Sequence, residues 1–449
     1  MSPAREFASE VLLAVERQGA YASELLHSAR GRKLAPADRR LATELVLGVL
    51  RWRAQLDFVI GLAARRPPAA IAPPALAALR LGAYQLRFLS RIPASAAVHE
   101  SVELAKRESA RLGGFVNAVL RHLPREPVAA LLAAEPGLGR RREIEFSHPA
   151  WLLERWNRHF TPPVADSIAE YNNQPPPVAI RLSPPAGTPG PDGAAAWPAE
   201  IATAPGRLLT AALRVTSGDV TKTALYRQRG IWIQDEASQL IPYLLEPWDG
   251  GRILDVCAAP GAKASLLHGL APARTSLIAL ELHPHRARLL RRLVPEPAVQ
   301  VVVADAARPL PLSGSFDRIL VDAPCTGTGT LARNPEIRWR LQPGDPARLG
   351  VLQTAILRQA LAALLPGGRC VYSVCSLEPE EGEAVVAAAL QAVPGLRLRP
   401  AAEVVADLGA AGQLACDADP GALTHGEFLR ILPGAWASDG FFAAILERD

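Results

Sequence analysis

The sequence predicts a multidomain chain: an all-α amino-terminal domain, a small α+β connecting domain and a carboxy-terminal α/β domain. Three observations carry this. Apolar residues recur at spacings of three and four through residues 4–123, the period of helices with one buried face. Residues 145–240 hold one helical pattern, a proline-rich stretch and short apolar runs that suit strands. From about residue 245 apolar runs alternate with loops and helical patterns, the order of a mostly parallel sheet covered on both faces. The limits that follow are 1–130, 145–240 and 241–449, within what a length of 449 residues allows.

In the first part, Leu41, Leu45, Val49, Trp52, Leu56, Val59 and Ile60 form one apolar stripe, which predicts a long helical stretch. Similar patterns predict helices over roughly 4–18, 73–89, 95–109 and 111–123, separated by short breaks containing proline or glycine. Residues 127–150 read as a linker. A single helix is expected from Trp151 to Glu170, then a proline-rich stretch from Pro175 to Pro198. Short strands are expected at Val178–Leu182 and Gly230–Asp235. In the last part the strand candidates are Arg252–Val256, Ser276–Leu282, Val299–Ala304, Asp317–Val321, Arg369–Val374 and Phe441–Leu446. Helices are expected between most of them, including Ala355–Leu365 and Glu380–Val393.

Composition narrows the class. With 49% apolar and 21% charged residues the chain is globular and not broadly disordered. No stretch reaches the roughly 18 apolar residues of a membrane span. Glu6 and Glu10 stand where a signal peptide needs a cationic then apolar run, so a cytoplasmic protein without membrane association is expected. The 5 cysteines are odd in number and none lies in a Cys-x-x-Cys pair, which argues against a disulfide framework and against a metal site. The charge is uneven. Residues 1–150 carry 22 Lys and Arg against 14 Asp and Glu, a net +8, and the remainder carries 27 against 30, a net −3. Arg39, Arg40, Arg51, Arg53, Arg80, Arg87, Arg107, Arg111 and Arg121 fall largely off the apolar faces. They form either a solvated surface or a phosphate-binding face.

Ligands bind at the carboxyl ends of strands in sheets of this kind, so the residues following each strand are the place to look for chemistry. The run Ile253 to Lys263 is a strand, a tight loop and a helix start, without the glycine pattern of a dinucleotide site or a phosphate loop. Gly261 permits close backbone approach, and the helix after it offers free N–H groups to an anionic or carboxylate-bearing ligand. Glu281 ends the second strand, where an acid grips ribose hydroxyls, and Asp305 ends the third, placed to accept from an adenine amino group. A sugar and adenine without a pyrophosphate grip fit S-adenosyl-L-methionine. The alternative is that Asp255, Glu281 and Asp305 cap helices.

Asp322-Ala-Pro-Cys325 follows the fourth strand and Ser373-Val-Cys-Ser376 follows a later one, which brings two cysteines to one sheet edge. Carbon 5 of cytosine becomes nucleophilic once a thiolate adds at carbon 6, and a base must later remove the carbon-5 proton. Asp322 is placed to bond the amino edge of a flipped base. Pro379, Glu380, Glu381 and Glu383 mark a helix start beyond Cys375, whose dipole and glutamates act on the thiol in opposite directions. Cys257, Cys370 and Cys416 read as small buried hydrophobes.

These residues resemble the RNA 5-methylcytosine methyltransferases, in particular the bacterial ribosomal RNA small subunit methyltransferase B family, over nearly the whole chain. Residues 79–85, 99–106 and 115–121 are similar to NusB, an RNA-binding helical domain. His148–Leu152 and Gln234–Ser238 are similar to the family's linking segment. Asp255–Lys263, Asp322–Cys325, Arg333–Trp339, Tyr372–Ser376 and Asp439–Phe442 are similar to its catalytic part. The resemblance implies a NusB-like domain over 1–130, a Rossmann-like methyltransferase domain over 241–449, and 16S rRNA as partner, with no obligatory protein partner and a monomeric state. It implies that Cys375 is the nucleophile and Cys325 the product-release cysteine, with Asp322 and Lys263 at the target base. S-adenosyl-L-methionine would be held by Cys257, Ala258, Ala259, Pro260, Gly261, Ala262, Lys263, Glu281, Asp305 and Asp322.

The sequence departs from the family's usual Pro-Gly-Gly-Lys-Thr loop at Ala262 and Ala264, and Val374 stands where threonine is usual before the nucleophile. The alanines put cofactor contacts in question, and none of the three changes removes a reacting group. Two other readings stay open: the same chemistry on transfer RNA or another RNA, and a non-catalytic RNA-binding assembly factor that retains a cofactor pocket.

Overall fold

The computed structural model of the chain describes residues 2–183, 198–246, 251–271, 274–312, 315–415 and 419–449. Cys416 and most of the proline-rich stretch lie outside the described residues. The chain forms two compact units, a helical one of Met1–Pro175 with Leu331–Pro343 and a sheet unit of Pro176–Thr330 with Gly344–Asp449. Among the described residues no helix is long and apolar enough to cross a membrane.

The helical unit is built from Pro3–Gln18, Pro36–Arg51, Arg53–Ala64, Pro73–Phe88, Ala94–Lys106 and Ala110–Arg121, with shorter helices between and after them. Proline at the first helical position opens three of these, where its fixed φ helps and its missing N–H costs nothing. Leu45, Val49, Leu56, Val59 and Ile60 of the predicted stripe are buried in one core. The long stretch is nevertheless two helices. Trp52 leaves the helical region at φ −103°, ψ 19° and stacks on Phe88 with ring centroids 5.2 Å apart. A stripe survives such a break because both helices present their apolar face to the same core.

Two further expectations are corrected. Residues 127–150 are not an unstructured linker but carry the helices Val128–Leu131 and Leu138–Phe146. The second hides its period behind Arg140, Arg141 and Arg142 while burying Ile144 and Phe146. The expected helix from Trp151 to Glu170 is two, Ala150–His159 and Pro162–Asn172, because Phe160 is extended and Pro162 starts a new helix. Helices Ala150–His159 and Pro162–Asn172 thus belong to the first unit, and the strands within 145–240 to the second.

The helical unit takes its last element from far along the chain. Segment Leu331–Pro343 supplies Arg338, which is fully buried and donates to the carbonyls of Ser147 and Asn172 and to Asn173 Oδ1 at 2.8–3.0 Å. Burial and the Arg338 charge push the pKa of His148 well below its usual value, so its ring is neutral. Trp339 donates to Leu50 O, Arg51 to Ala332 O, and the Ala22 N–H to Glu336.

The sheet unit contains two sheets. The small antiparallel one comprises β1 (Val178–Leu182), β2 (Ala202–Pro205), β3 (Ala212–Ser217) and β4 (Ile231–Ile233), in the order β2-β3-β1-β4. The large one comprises β5 (Arg252–Asp255), β6 (Ser276–Glu281), β7 (Val299–Val303), β8 (Phe316–Asp322), β9 (Leu364–Val374), β10 (Leu396–Arg399), β11 (Thr424–His425), β12 (Phe428–Ile431) and β13 (Phe441–Arg448). Its order is β11-β12-β13-β9-β8-β5-β6-β7, with β10 pairing β13. The run β9-β8-β5-β6-β7 is parallel, and β13 joins β9 antiparallel. Among the described residues eight strands, β1, β4, β5–β9 and β13, answer to the sequence expectation. The short β2, β3 and β10–β12 gave no separate signal.

Side chains alternate between two apolar layers, as a sheet buried on both faces requires. Val371, Ala443 and Ile445 face one core, and Cys370, Tyr372, Phe442 and Ala444 face the other. Chain order reverses between β5 and β8, since β6 and β7 lie on one side of β5 and β8 and β9 on the other. Sheets of this kind bind ligands at the carboxyl ends of the strands beside such a switch point.

Arg338→Met fits the volume but leaves several buried oxygens without a donor, at about 1–3 kcal/mol each. A lower denaturant midpoint, with faster amide exchange in Leu138–Asn172, is the expected result. An unchanged midpoint would show that the 331–343 segment is dispensable to the helical unit.

Candidate active site

At the carboxyl end of β5 the chain makes the loop to helix Ala262–Leu270. Gly261 caps that helix at φ +117°, where a Cβ would lie 2.7 Å from Leu290 Cδ1 and 2.8 Å from Val294 Cγ2. Glycine is required there by conformation and by space together. The loop is tied down on several sides. Ala258 N–H donates to Leu280 O at 2.9 Å, and Arg286 donates to Ala259 O at 3.1 Å. Arg181 of β1, buried, donates to Ala262 O at 2.7 Å and to Gln234 Oε1 at 2.8 Å. Burial lowers the Arg181 pKa to about 10. Ala262 has no positive φ and begins the helix, so a second glycine is not demanded there; Ala264 is fully buried among apolar neighbours.

The three strand-end acids differ. Asp255 is 1% exposed, and neither oxygen completes a hydrogen bond. Burial, followed by the charge of Asp322, pushes its carboxyl up to about 7, with Lys263 and the nearby Cys257 N–H pulling the other way. Glu281 accepts the His283 N–H at 2.8 Å, and Asp305 accepts the Ala307 N–H at 3.0 Å. These are local turn bonds and not helix caps: helix Pro284–Leu293 has no side-chain cap, and among the described residues no helix lies between β7 and β8. The second oxygens lie 3.9 Å from Arg286 Nη1 and 3.3 Å from Arg308 Nε. Asp255 caps no helix either.

The reacting side chains converge across β8 and β9. The parallel register pairs Asp322 with Ser373. Ser373 Oγ donates to Asp322 Oδ1 at 2.9 Å and Lys263 Nζ donates to Asp322 Oδ2 at 2.7 Å. Burial disfavours the Lys263 ammonium, but Asp322 beside it more than compensates and its pKa is raised. Lys263 Nζ also lies 5.2 Å from the centroid of Phe441. Cys325 and Cys375, both half-buried, bring their Sγ atoms to 3.4 Å. The hydrogen bond to Cys375, then burial, then the charges of Cys375, Glu381 and Asp322 hold the Cys325 thiol well above its ordinary pKa.

Burial raises the pKa of Cys370, and burial with Asp255 raises that of Cys257. Cys370 is a fully buried core residue, while Cys257 is half-buried beside the loop. The helix expected from Glu380 begins at Glu383, and Glu381 turns inward instead of lining its start. Among the described residues no cluster of three or more His, Cys, Asp or Glu could hold a metal. The structure brings together Cys325, Cys375, Asp322 and Lys263, and sets the 257–263 loop beside Glu281. Sequence reasoning missed Ser373, Arg181 and the inward Glu381. Ser373 is signalled only by its alternation with Val374 at the end of β9, and the other two give no signal before the strands pair.

A doubly wound parallel sheet with a glycine-capped loop, acids on successive strand ends and two apposed thiols defines a methyltransferase domain of the α/β class. The chain belongs to the 16S rRNA methyltransferase RsmB/F family, whose description matches residues 242–447, and its residues 2–125 match the NusB family. It is 32% identical to the probable ribosomal RNA small subunit methyltransferase B of Bacillus subtilis, over 99% of this chain and 98% of that protein. It is 33% identical to the ribosomal RNA small subunit methyltransferase B of Vibrio cholerae, over 99% and 97%. The crystal structure of PH0851 shares the fold with a TM-score of 0.77 at 22% identity, covering 99% of both chains.

Because Cys375 is a leading cause of the raised Cys325 pKa, removing it should lower that pKa. Alkylation of Cys325, followed by peptide mass mapping across pH, should rise only above the ordinary thiol range in the native protein and at lower pH in Cys375→Ala. Identical profiles would reject the coupling.

Proposed function

We propose that this protein transfers a methyl group from S-adenosyl-L-methionine to carbon 5 of a cytidine in 16S rRNA through a covalent bond between Cys375 and carbon 6. The apposed thiols beside the Lys263–Asp322 pair carry this reading, since one-step transfer to a nucleophilic atom needs no cysteine.

The residues at the switch point suit the cofactor. Gly261 lets the loop turn tightly against Leu290 and Val294, Glu281 at the end of β6 would take the ribose hydroxyls beside Arg286, and Asp305 lies near the end of the next strand for the adenine amino group. Asp255 is a buried acid whose oxygens complete no hydrogen bond. The loop from Cys257 through Ala258, Ala259, Pro260, Gly261 and Ala262 to Lys263, with Asp322, completes the set. When bound there, S-adenosyl-L-methionine supplies an electrophilic methyl group.

The side chains divide the remaining work. Cys375 as thiolate forms a bond to carbon 6 of the base, and the displaced electron pair makes carbon 5 nucleophilic. Asp322 accepts from the amino edge of the base while Lys263 offsets its charge. After methylation the carbon-5 proton must leave and the Cys375–carbon 6 bond must break, returning Cys375 as thiolate. Cys325 takes that proton. In the free site Cys375 holds Cys325 protonated. Once Cys375 is bonded to the base, its hydrogen bond and charge are gone and Cys325 can ionise. The nucleophile thereby controls when the second cysteine becomes a base.

The division of labour is part of the proposal: RNA affinity from residues 1–130, a connecting portion in 145–240, and chemistry in 241–449. A groove of about 810 Å³ in the helical unit is lined by Arg87, His99, Lys106, Arg121 and Arg125 beside Val98 and Leu120. Glu103 also lines it and pairs with Lys106 at 2.7 Å, so Arg87, Arg121 and Arg125 are the cations left to meet the phosphates of unpaired RNA, with the apolar floor for a base.

Cys375→Ala is expected to abolish methyl transfer, and Cys325→Ala to accumulate a protein–RNA adduct that survives denaturation. An adduct seen with Cys375→Ala and absent with Cys325→Ala would reverse the roles. Bisulfite mapping of 16S rRNA from cells lacking the protein tests the substrate, and an unchanged cytidine pattern would point to another RNA.

Replacing Arg121 and Arg125 with glutamine should weaken RNA binding and flatten its salt dependence, by about 0.7 in the logarithmic slope for each phosphate no longer neutralised. An unaltered slope would remove the groove from the RNA-binding surface.

A further inference from the structure

Two thiols that act in turn on one base must keep a fixed separation, although they follow different strands. The tie between them is a side chain the mechanism above does not use. Glu381 is fully buried. Its Oε1 accepts the Thr326 backbone N–H at 2.8 Å and Gln353 Nε2 at 2.9 Å. Its Oε2 accepts the hydroxyls of both Thr326 and Ser376. Thr326 directly follows Cys325, and Ser376 directly follows Cys375. One carboxylate therefore grips the residue next to each thiol.

The grip is reinforced on every side. Gln353 Nε2 also donates to Pro324 O at 2.8 Å, so Cys325 is bracketed by a held carbonyl before it and a held N–H after it. Thr328 Oγ1 accepts the Leu377 N–H at 2.9 Å, a second stitch between the loops. Tyr372 OH donates to the Glu381 carbonyl and fixes the backbone of the grip itself. The Thr326 N–H and Gln353 Nε2 can only donate to the Glu381 carboxylate, and the two hydroxyls on its other oxygen donate as well, with Ser376 Oγ also accepting the Glu378 N–H. Burial pushes its carboxyl upward in pKa, opposed by the hydrogen bonds from Ser376, Thr326 and Gln353.

We propose that Glu381 is a positioning residue that holds Cys325 and Cys375 in register, so that both reach the same base in succession. The inference rests on the proposed two-cysteine reaction. Glutamine at 381 would replace a charged acceptor with an amide NH₂ facing two hydroxyls, which must turn to accept it, and so weaken the tie between the loops. The thiols would remain present, but no longer at their shared spacing.

The test uses the full chain with Glu381→Gln and, as a milder change that removes a single donor, Ser376→Ala. Diamide oxidises two thiols to one disulfide, taking up both hydrogens as it is reduced to the hydrazine. In the native protein it should bridge Cys325 and Cys375 rapidly, read as a loss of two hydrogens in the linked peptides. Bridging should slow about tenfold or more in Glu381→Gln and less in Ser376→Ala. With RNA, kcat in Glu381→Gln should fall about 100-fold, as misplacement by an ångström does. The KM for RNA and the binding of S-adenosyl-L-methionine should stay near native values, and a larger share of enzyme should be trapped as RNA adduct. Bridging at the native rate in both variants overturns the proposal, as does a native kcat in Glu381→Gln. If the unaltered protein bridges its thiols but methylates no RNA, the reaction fails while the bridging rates still judge the tie.

Discussion

The parallel pairing of β8 with β9 is the constraint on which the site depends. Its register sets Asp322 opposite Ser373, and the two chains then leave the sheet side by side into the loops that bear Cys325 and Cys375. A slip of one residue would turn every side chain of the strand to the opposite face. That would set Cys370 and Tyr372 against the wrong core and break the Ser373–Asp322 hydrogen bond. The cysteines stand 50 residues apart in the chain, so their 3.4 Å separation is a property of the crossover and not of local sequence. Apolar packing on both faces keeps the register, and the polar ties around the loops refine it.

Electrostatics at the strand ends follows from burial. Lys263 is the cation among Asp255, Asp322 and the thiols, and it bonds the acid that is partly open to solvent. Asp255, sealed within the unit, is left with its carboxyl near 7, where either protonation state is within reach at neutral pH. Cys325 is held as a thiol by its neighbour. A low-dielectric pocket makes each charge depend on the others.

The helical unit shows a different dependence. Its core comes from the first 175 residues, but Arg338, Trp339 and Glu336 reach it from the segment that follows the Cys325 loop. An arginine without exposure is held there by backbone carbonyls and Asn173, which take up donors of both its Nη atoms. The unit is complete only when residues more than a hundred positions downstream have joined it.

The sequence alone determined the helical periodicity of the first part, the strand–helix alternation of the last, the Gly261 loop, the acids at strand ends and both cysteine motifs. These are local: a period or a spacing of a few residues suffices to write them. Its errors were also local ones of continuity. A single stripe ran through the break at Trp52, and the arginines of 140–142 masked a helix. Only the tertiary structure decided that Glu281 and Asp305 are held in local turns while Asp255 is sealed without a hydrogen bond, and that Ala262 sits where glycine is not needed. It alone turned Glu381, one of three glutamates that looked like a helix start, into the buried tie between two loops. The reason is physical. Partners on separate strands meet through sheet pairing and burial, and no single stretch of chain encodes both sides of such a contact.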